Sequence, residues 1–211
     1  MRRLLSSAAT IAILATIMAT APSANAAPNS PDKDQPLAST SVVVNELSTR
    51  GPNGPLDEFI EVRNVSNNPV DLTGYSVRVY NGQNALIGTI ALPAGLVLQP
   101  KDNVGQFLVL TAANFSGTVQ DASNVLPYVL NSVEGIPTTG GVAVFGPTGA
   151  RIDGVAYSLV VNAAREGQPA LPETRADAQL AAATARDIVS TDTDNNRVDF
   201  SLHARTPGQL N

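Results

Sequence analysis

From Thr40 onward the chain is a series of short β-branched runs, each closed by a cluster of Gly, Pro or Asn. Proline removes a backbone donor and clashes with the preceding helical turn, so this punctuation forbids long helices and leaves strands. The candidate strands are 41–47 (SVVVNEL), 58–64 (EFIEVRN), 75–80 (YSVRVY), 86–92 (LIGTIAL), 106–111 (QFLVLT), 141–145 (GVAVF) and 152–157 (IDGVAY). Gly146-Pro147-Thr148-Gly149 fits a short hairpin loop between the last two, and Asn67-Asn68-Pro69 divides the second run from Val70-Asp71-Leu72. Such a pattern predicts an all-β fold, an antiparallel sandwich or barrel. Residues 114–133 read as a longer irregular insertion. The Ala-rich stretch 175–186 (RADAQLAAATAR) shows no clean apolar stripe and leaves a helix and an extended segment both open.

The N-terminus predicts a compartment. Arg2-Arg3, an uncharged apolar run from Leu4 to about Ala21, and Ala24-Asn25-Ala26 form a secretory leader over 1–26. The Pro-rich polar stretch 27–39 reads as a disordered linker, and 40–211 as one β-domain with a C-terminal extension. No second apolar segment of about 20 residues follows to span a bilayer. The composition has no Cys, which rules out disulfides, thiolate metal sites and a Cys nucleophile. Removing Arg2 and Arg3 changes the formal charge from −5 to 11 − 18 = −7, and no Lys/Arg run remains. Nucleic acid, which is gripped by concentrated positive charge, is therefore not the expected partner.

Catalytic chemistry has few handles. The one histidine, His203, lies in a polar tail, and neither a G-x-S-x-G elbow nor a phosphate-binding glycine loop is present. Carboxylates remain. In DEFIEVRN, side chains alternate faces, so Glu58, Ile60 and Val62 share one side while Phe59, Glu61 and Arg63 share the other. Glu58 and Glu61 thus point apart and do not make an acid/base pair by themselves, although Glu46 on the preceding strand is placed to complement either. Glu61 with Arg63 reads as a surface or cross-strand pair. A second cluster, Asp192-Thr193-Asp194-Asn195-Asn196, offers oxygens at alternate positions, as a calcium loop does. Arg197 and His203 stand where an EF-hand needs Gly and Glu, so that motif is excluded. A looser calcium site on Asp192, Asp194 and Asn196 stays open beside a plain Asx-turn.

Three ordered segments resemble the lamin tail domain, in the form found in secreted bacterial proteins. They are Val44-Asn45-Glu46-Leu47, Glu58-Phe59-Ile60-Glu61-Val62 with Asn64, and Val70-Asp71-Leu72-Thr73-Gly74-Tyr75. Leu92-Pro93-Ala94-Gly95 with Leu98-Gln99-Pro100, the 149–157 stretch, and the C-terminal DTDNNRVDF…TPGQLN continue the likeness. Lys101 stands where Gly is usual and Arg205 where Pro is common. The resemblance implies an immunoglobulin-like antiparallel β-sandwich with long loops and no catalysis, hence no catalytic residues and no cofactor beyond the calcium candidate. In that sandwich Val42, Val44, Ile60, Val62, Val77, Val79, Leu108, Leu110, Val142 and Val144 are expected to face inward, with Val43, Phe59 and Phe145 as exceptions. The function expected is a secreted binding, adhesion or structural module whose partner is an unknown protein or cell-surface ligand. A small carboxylate-dependent extracellular hydrolase and a calcium-stabilised cell-envelope component are the alternatives.

Overall fold

The computed structural model describes residues 38–171 and 180–211. The expected leader, most of the expected linker and residues 175–179 of the Ala-rich stretch lie outside the described residues. The strands in chain order are β1 (Val42–Ser48), β2 (Phe59–Asn64), β3 (Val70–Asp71), β4 (Ser76–Tyr80), β5 (Leu86–Ala91) and β6 (Val97–Leu98). They continue with β7 (Phe107–Thr111), β8 (Val125–Pro127), β9 (Gly141–Phe145), β10 (Arg151–Ala156), β11 (Ala182–Ala185) and β12 (Ser201–Ala204). One helical turn, α1 (Asn196–Asp199), precedes β12. Each candidate run from the sequence forms a strand. The other five strands, among them β11 within the stretch left open between helix and extended segment, have two to four residues, too few to display an alternation.

One sheet has the order β12-β11-β1-β2-β7-β8, a second β10-β9-β4-β5, and β3-β6 form a small ribbon. Every pairing is antiparallel except β7 with β8, where the irregular insertion returns alongside the strand it left. Apolar side chains from both large sheets meet in one core, and all ten residues expected to face inward belong to it. Val43, Phe59 and Phe145 are buried too, but outside that core. Phe59 packs with Val109 and Ala183 on the far side of the six-stranded sheet, and Phe145 with Tyr80, Ala143 and Val161 on the far side of the four-stranded one. Antiparallel sheets commonly leave one face to water. Here parts of both outer faces are roofed, which is why every residue of β1 and β2 is buried.

The Ala-rich stretch resolves in favour of the extended form where it is described, since β11 pairs with β1 on one side and β12 on the other. Its small side chains suit this buried position: Ala183 and Ala185 are wholly enclosed. Between β9 and β10 the foreseen hairpin loop closes with Gly149 N–H donating to the Gly146 carbonyl at 2.9 Å, and Gly149 takes φ +82°, which glycine adopts without strain. Lys101, where glycine is usual, does not take a left-handed conformation; the residue after it, Asp102, does, at φ +66°.

Register on β1 decides the fate of its glutamate. Val44 pairs with Val62 and Glu46 with Glu61, so Asn45 is an extra residue that opens a bulge. A bulge reverses the alternation beyond it. Leu47 therefore enters the core, while Glu46 turns to the outer face directly opposite Glu61.

Candidate functional site

The DEFIEV carboxylates and Glu46 are all buried, Glu58 tied to the segment 128–136 and Asp57, Glu46 and Glu61 to the C-terminal segment 205–208. Glu58, on the core side at the start of β2, accepts from the Tyr128 hydroxyl at 2.8 Å and from the Ile136 N–H at 2.7 Å. It thereby holds the far end of the irregular insertion. A Cβ on Gly135 would fall 2.3 Å from the Glu58 carboxylate, so the approach is close enough to require glycine. Asp57 accepts from Arg205 Nη1 and from Ser116, the latter with both N–H and hydroxyl. Burial opposes its ionisation, yet the bonds from Ser116 and Arg205 prevail and hold its pKa below the ordinary range. Arg205 also reaches Ser48 Oγ and the Arg50 carbonyl at 2.8 Å each. The residue that departs from the family pattern is thus the clasp between the C-terminal segment and the β1–β2 loop.

Glu46 and Glu61 lie side by side beneath residues 206–208. Glu46 accepts from Thr206 N–H at 2.9 Å, and Glu61 from Gly208 N–H at 2.6 Å and Asn45 Nδ2 at 2.7 Å. The expected surface pairing of Glu61 with Arg63 is not formed. Glu61 has no exposure, and Arg63 turns to Gln106 and Ser190, because the C-terminal segment roofs a face that period-two reasoning assigned to solvent. Burial pushes Glu46 up to about 7 and Glu58 up to about 7. Burial and the neighbouring Glu46 push Glu61 well above the usual carboxylate range. Both Glu61 oxygens accept from N–H groups, so Glu61→Gln turns its amide NH2 toward one donor and is expected to cost about 1–3 kcal/mol, whereas Glu61→Ala, which strands the Gly208 and Asn45 donors together, costs about that much for each. Chemical denaturation of the two variants checks the contrast.

The densest polar centre surrounds Arg186, which follows β11 and is fully buried. Its guanidinium contacts Asp153 at 2.9 Å, Asp199 at 3.2 Å and Asp192 at 3.5 Å, and donates to the carbonyls of Val44 and Thr191. Phe200 lies under it, 4.5 Å from ring centroid to guanidinium carbon. Asp153 in turn caps Val44 N–H at 2.6 Å, which binds β10 to β1. Burial would lower the pKa of Arg186, but the surrounding carboxylates raise it instead. Burial and the charge of Asp153 push Glu166 up to about 10.

The structure separates the calcium candidates Asp192, Asp194 and Asn196. The Asn196 amide is consumed by backbone, accepting from Ala156 and Glu166 N–H and donating to the Gly154 carbonyl, so it tethers α1 to β10. Asp192 accepts from Ser39 and Asp194 N–H, and its carboxylate joins Asp153 and Glu166. Asp194 has one buried oxygen without a hydrogen-bond partner. Sequence reasoning did not single out Glu166 or Arg186, because the group is assembled across 153–199 with no repeating interval. The one local signal is a charged residue closing the apolar run AAATA.

With two facing sheets, a buried common core and carboxylates committed to backbone donors, the molecule is an immunoglobulin-like β-sandwich. The model of the Lamin Tail Domain family matches residues 35–159, and the chain belongs to that family. A comparison with curated proteins finds no match.

Proposed function

We propose that the protein is an exported, non-enzymatic binding module that engages a protein or cell-surface ligand outside the cell. The observation that carries this reading is the disposition of Glu46, Glu58 and Glu61. General acid–base catalysis needs a carboxyl within hydrogen-bond reach of a substrate, and these three are fully enclosed with backbone or hydroxyl donors at their oxygens. Family membership supports it as well, since the lamin tail domain is an immunoglobulin-like, non-catalytic module.

The surface supplies a place for contact. Val129 and Val133 on the insertion are 89% and 86% exposed, and Val133 precedes Glu134, which with Arg50, Pro55, Ile136 and Pro137 lines a cavity of about 290 Å³. Loops on a rigid sandwich are where such domains carry recognition. Immobilised protein exposed to an envelope extract is expected to retain a discrete partner, and the double variant Val129→Ser/Val133→Ser to lose it at unchanged melting temperature. The opposing result is reproducible turnover across a panel of glycosides and esters that disappears in Glu46→Gln without loss of stability.

A further inference from the structure

We propose that Asp153, Glu166 and Asp192 hold a calcium ion. One carboxylate oxygen from each lies within 4.8 Å of the other two. Calcium binds oxygens at about 2.3–2.6 Å, so two ligands on opposite sides of the ion are about 4.6–5.2 Å apart, and the three oxygens fit around one centre.

The unmet needs of Glu166 point to a ligand independently of that spacing. The residue is 1% exposed, and its Oε2 has no hydrogen-bond partner. This oxygen faces inward, 3.9 Å from Arg186 Nη2, which itself sits 2.9 Å from Asp153. A buried carboxylate oxygen left without a donor is costly, and a cation at the centre satisfies it. Local charge gives the same direction. Once Glu166 gives up its proton to a bound cation, Asp153, Glu166, Asp192, Asp194 and Asp199 set five carboxylates against the two guanidinium groups of Arg186 and Arg151. A divalent ion offsets two of the remaining three charges. Arg186 contacts Asp153, Asp192 and Asp199 and stands 3.9 Å from Glu166 Oε2, too far for a hydrogen bond, so the ion sits on the Glu166 side of the cluster, where that oxygen is left unmet. Asp192 and the half-buried 194–195 turn line the side nearest solvent, which leaves water and a further oxygen available to complete the shell.

An ion at this position ties β10, the loop carrying Glu166, and the segment after β11 together. Its effect is therefore on stability. The alternative for the same geometry is a proton shared between Asp153 and Glu166, which are close enough for their carboxyl groups to hydrogen-bond. The two differ in their response to metal.

The full chain, stripped with chelator, is titrated with calcium chloride by calorimetry and melted with and without the ion. The melting temperature is expected to rise by about 5 °C or more at about 100 times Kd, with a smaller rise for magnesium. Glu166→Gln is expected to fold and to lose that rise, and Asp192→Asn, on the more accessible side, to weaken binding at least tenfold. Two results overturn the proposal. One is a wild-type melting temperature indifferent to calcium up to 10 mM, about the top of the extracellular range and beyond, which assigns the pair to a shared proton. The other is a full calcium response in both variants, which places the ion elsewhere.

Discussion

Arg186→Ala is expected to abolish stable folding. The substitution removes the fully buried cation that Asp153, Asp192 and Asp199 all contact, and with it the donors to the Val44 and Thr191 carbonyls. Breaking a buried ion pair by deleting one partner costs about 3–5 kcal/mol, because the remaining charge is stranded. Here three carboxylates are stranded together, against a total stability of about 5–15 kcal/mol for a domain. Arg186→Lys is not a rescue, since one ammonium cannot make the forked contacts that span two carbonyls and three carboxylates. The control is Arg78→Ala. Arg78 lies on the outer face over Phe145, 3.9 Å from its ring centroid, and its loss is expected to cost about 0.5–1 kcal/mol. Circular dichroism melts of the three variants test this. An Arg186→Ala protein that melts within a few degrees of wild type would show that the cluster contributes little.

The second large effect is on the pH dependence of stability, measured in chelator. Glu46 and Glu58 are each raised in the folded protein from 4.5 to about 7. For a raised carboxyl, the folded state holds the proton more tightly than the unfolded chain does. Its stabilisation is fully present below pH 4.5 and is lost as pH rises through about 7. At about 1.4 kcal/mol per pH unit, each group is worth on the order of 3 kcal/mol across that window. Glu61 acts in the same direction. Asp57 and Asp187, whose pKa values are lowered chiefly because bonds from Ser116, Arg205 and Thr191 overcome burial, act oppositely and fail only in acid. Denaturation midpoints are therefore expected to peak near pH 5 and fall toward pH 8. Flat or rising stability over that range would mean these carboxyls are ionised and solvated in the native state.

Much of the sandwich was legible because strand periodicity is local. Val42 and Val44 on one run, and Ile60 and Val62 on the next, stand two residues apart, and the core follows from that spacing. What remained hidden depends on contacts between distant residues. The bulge at Asn45 carries no mark of its own in VVVNELS, yet it turns Glu46 away from the core and places it against Glu61. The roof over Glu61 is formed by Gly208, 147 residues later in the chain, and only that contact turns an apparent surface charge into a buried one. Asn196 was read as a possible ligand from its neighbours in DTDNN, but its amide is spent on Gly154, Ala156 and Glu166, a use that no local pattern announces.

The family match ends at residue 159, whereas Glu166, Arg186, Asp199, Arg205 and Gly208 all lie beyond it. Acidic residues within the matched part hold this later segment as an integral piece of the domain. Native-state amide hydrogen exchange at Thr206 and Gly208 tests it most directly, since their N–H groups donate to Glu46 at 2.9 Å and Glu61 at 2.6 Å. Both amides are expected to be protected in the wild type to a degree comparable with β1 and β2, and Glu61→Ala to release Gly208 while β2 stays protected. Exchange of wild-type Gly208 at the rate of an unstructured chain would contradict it.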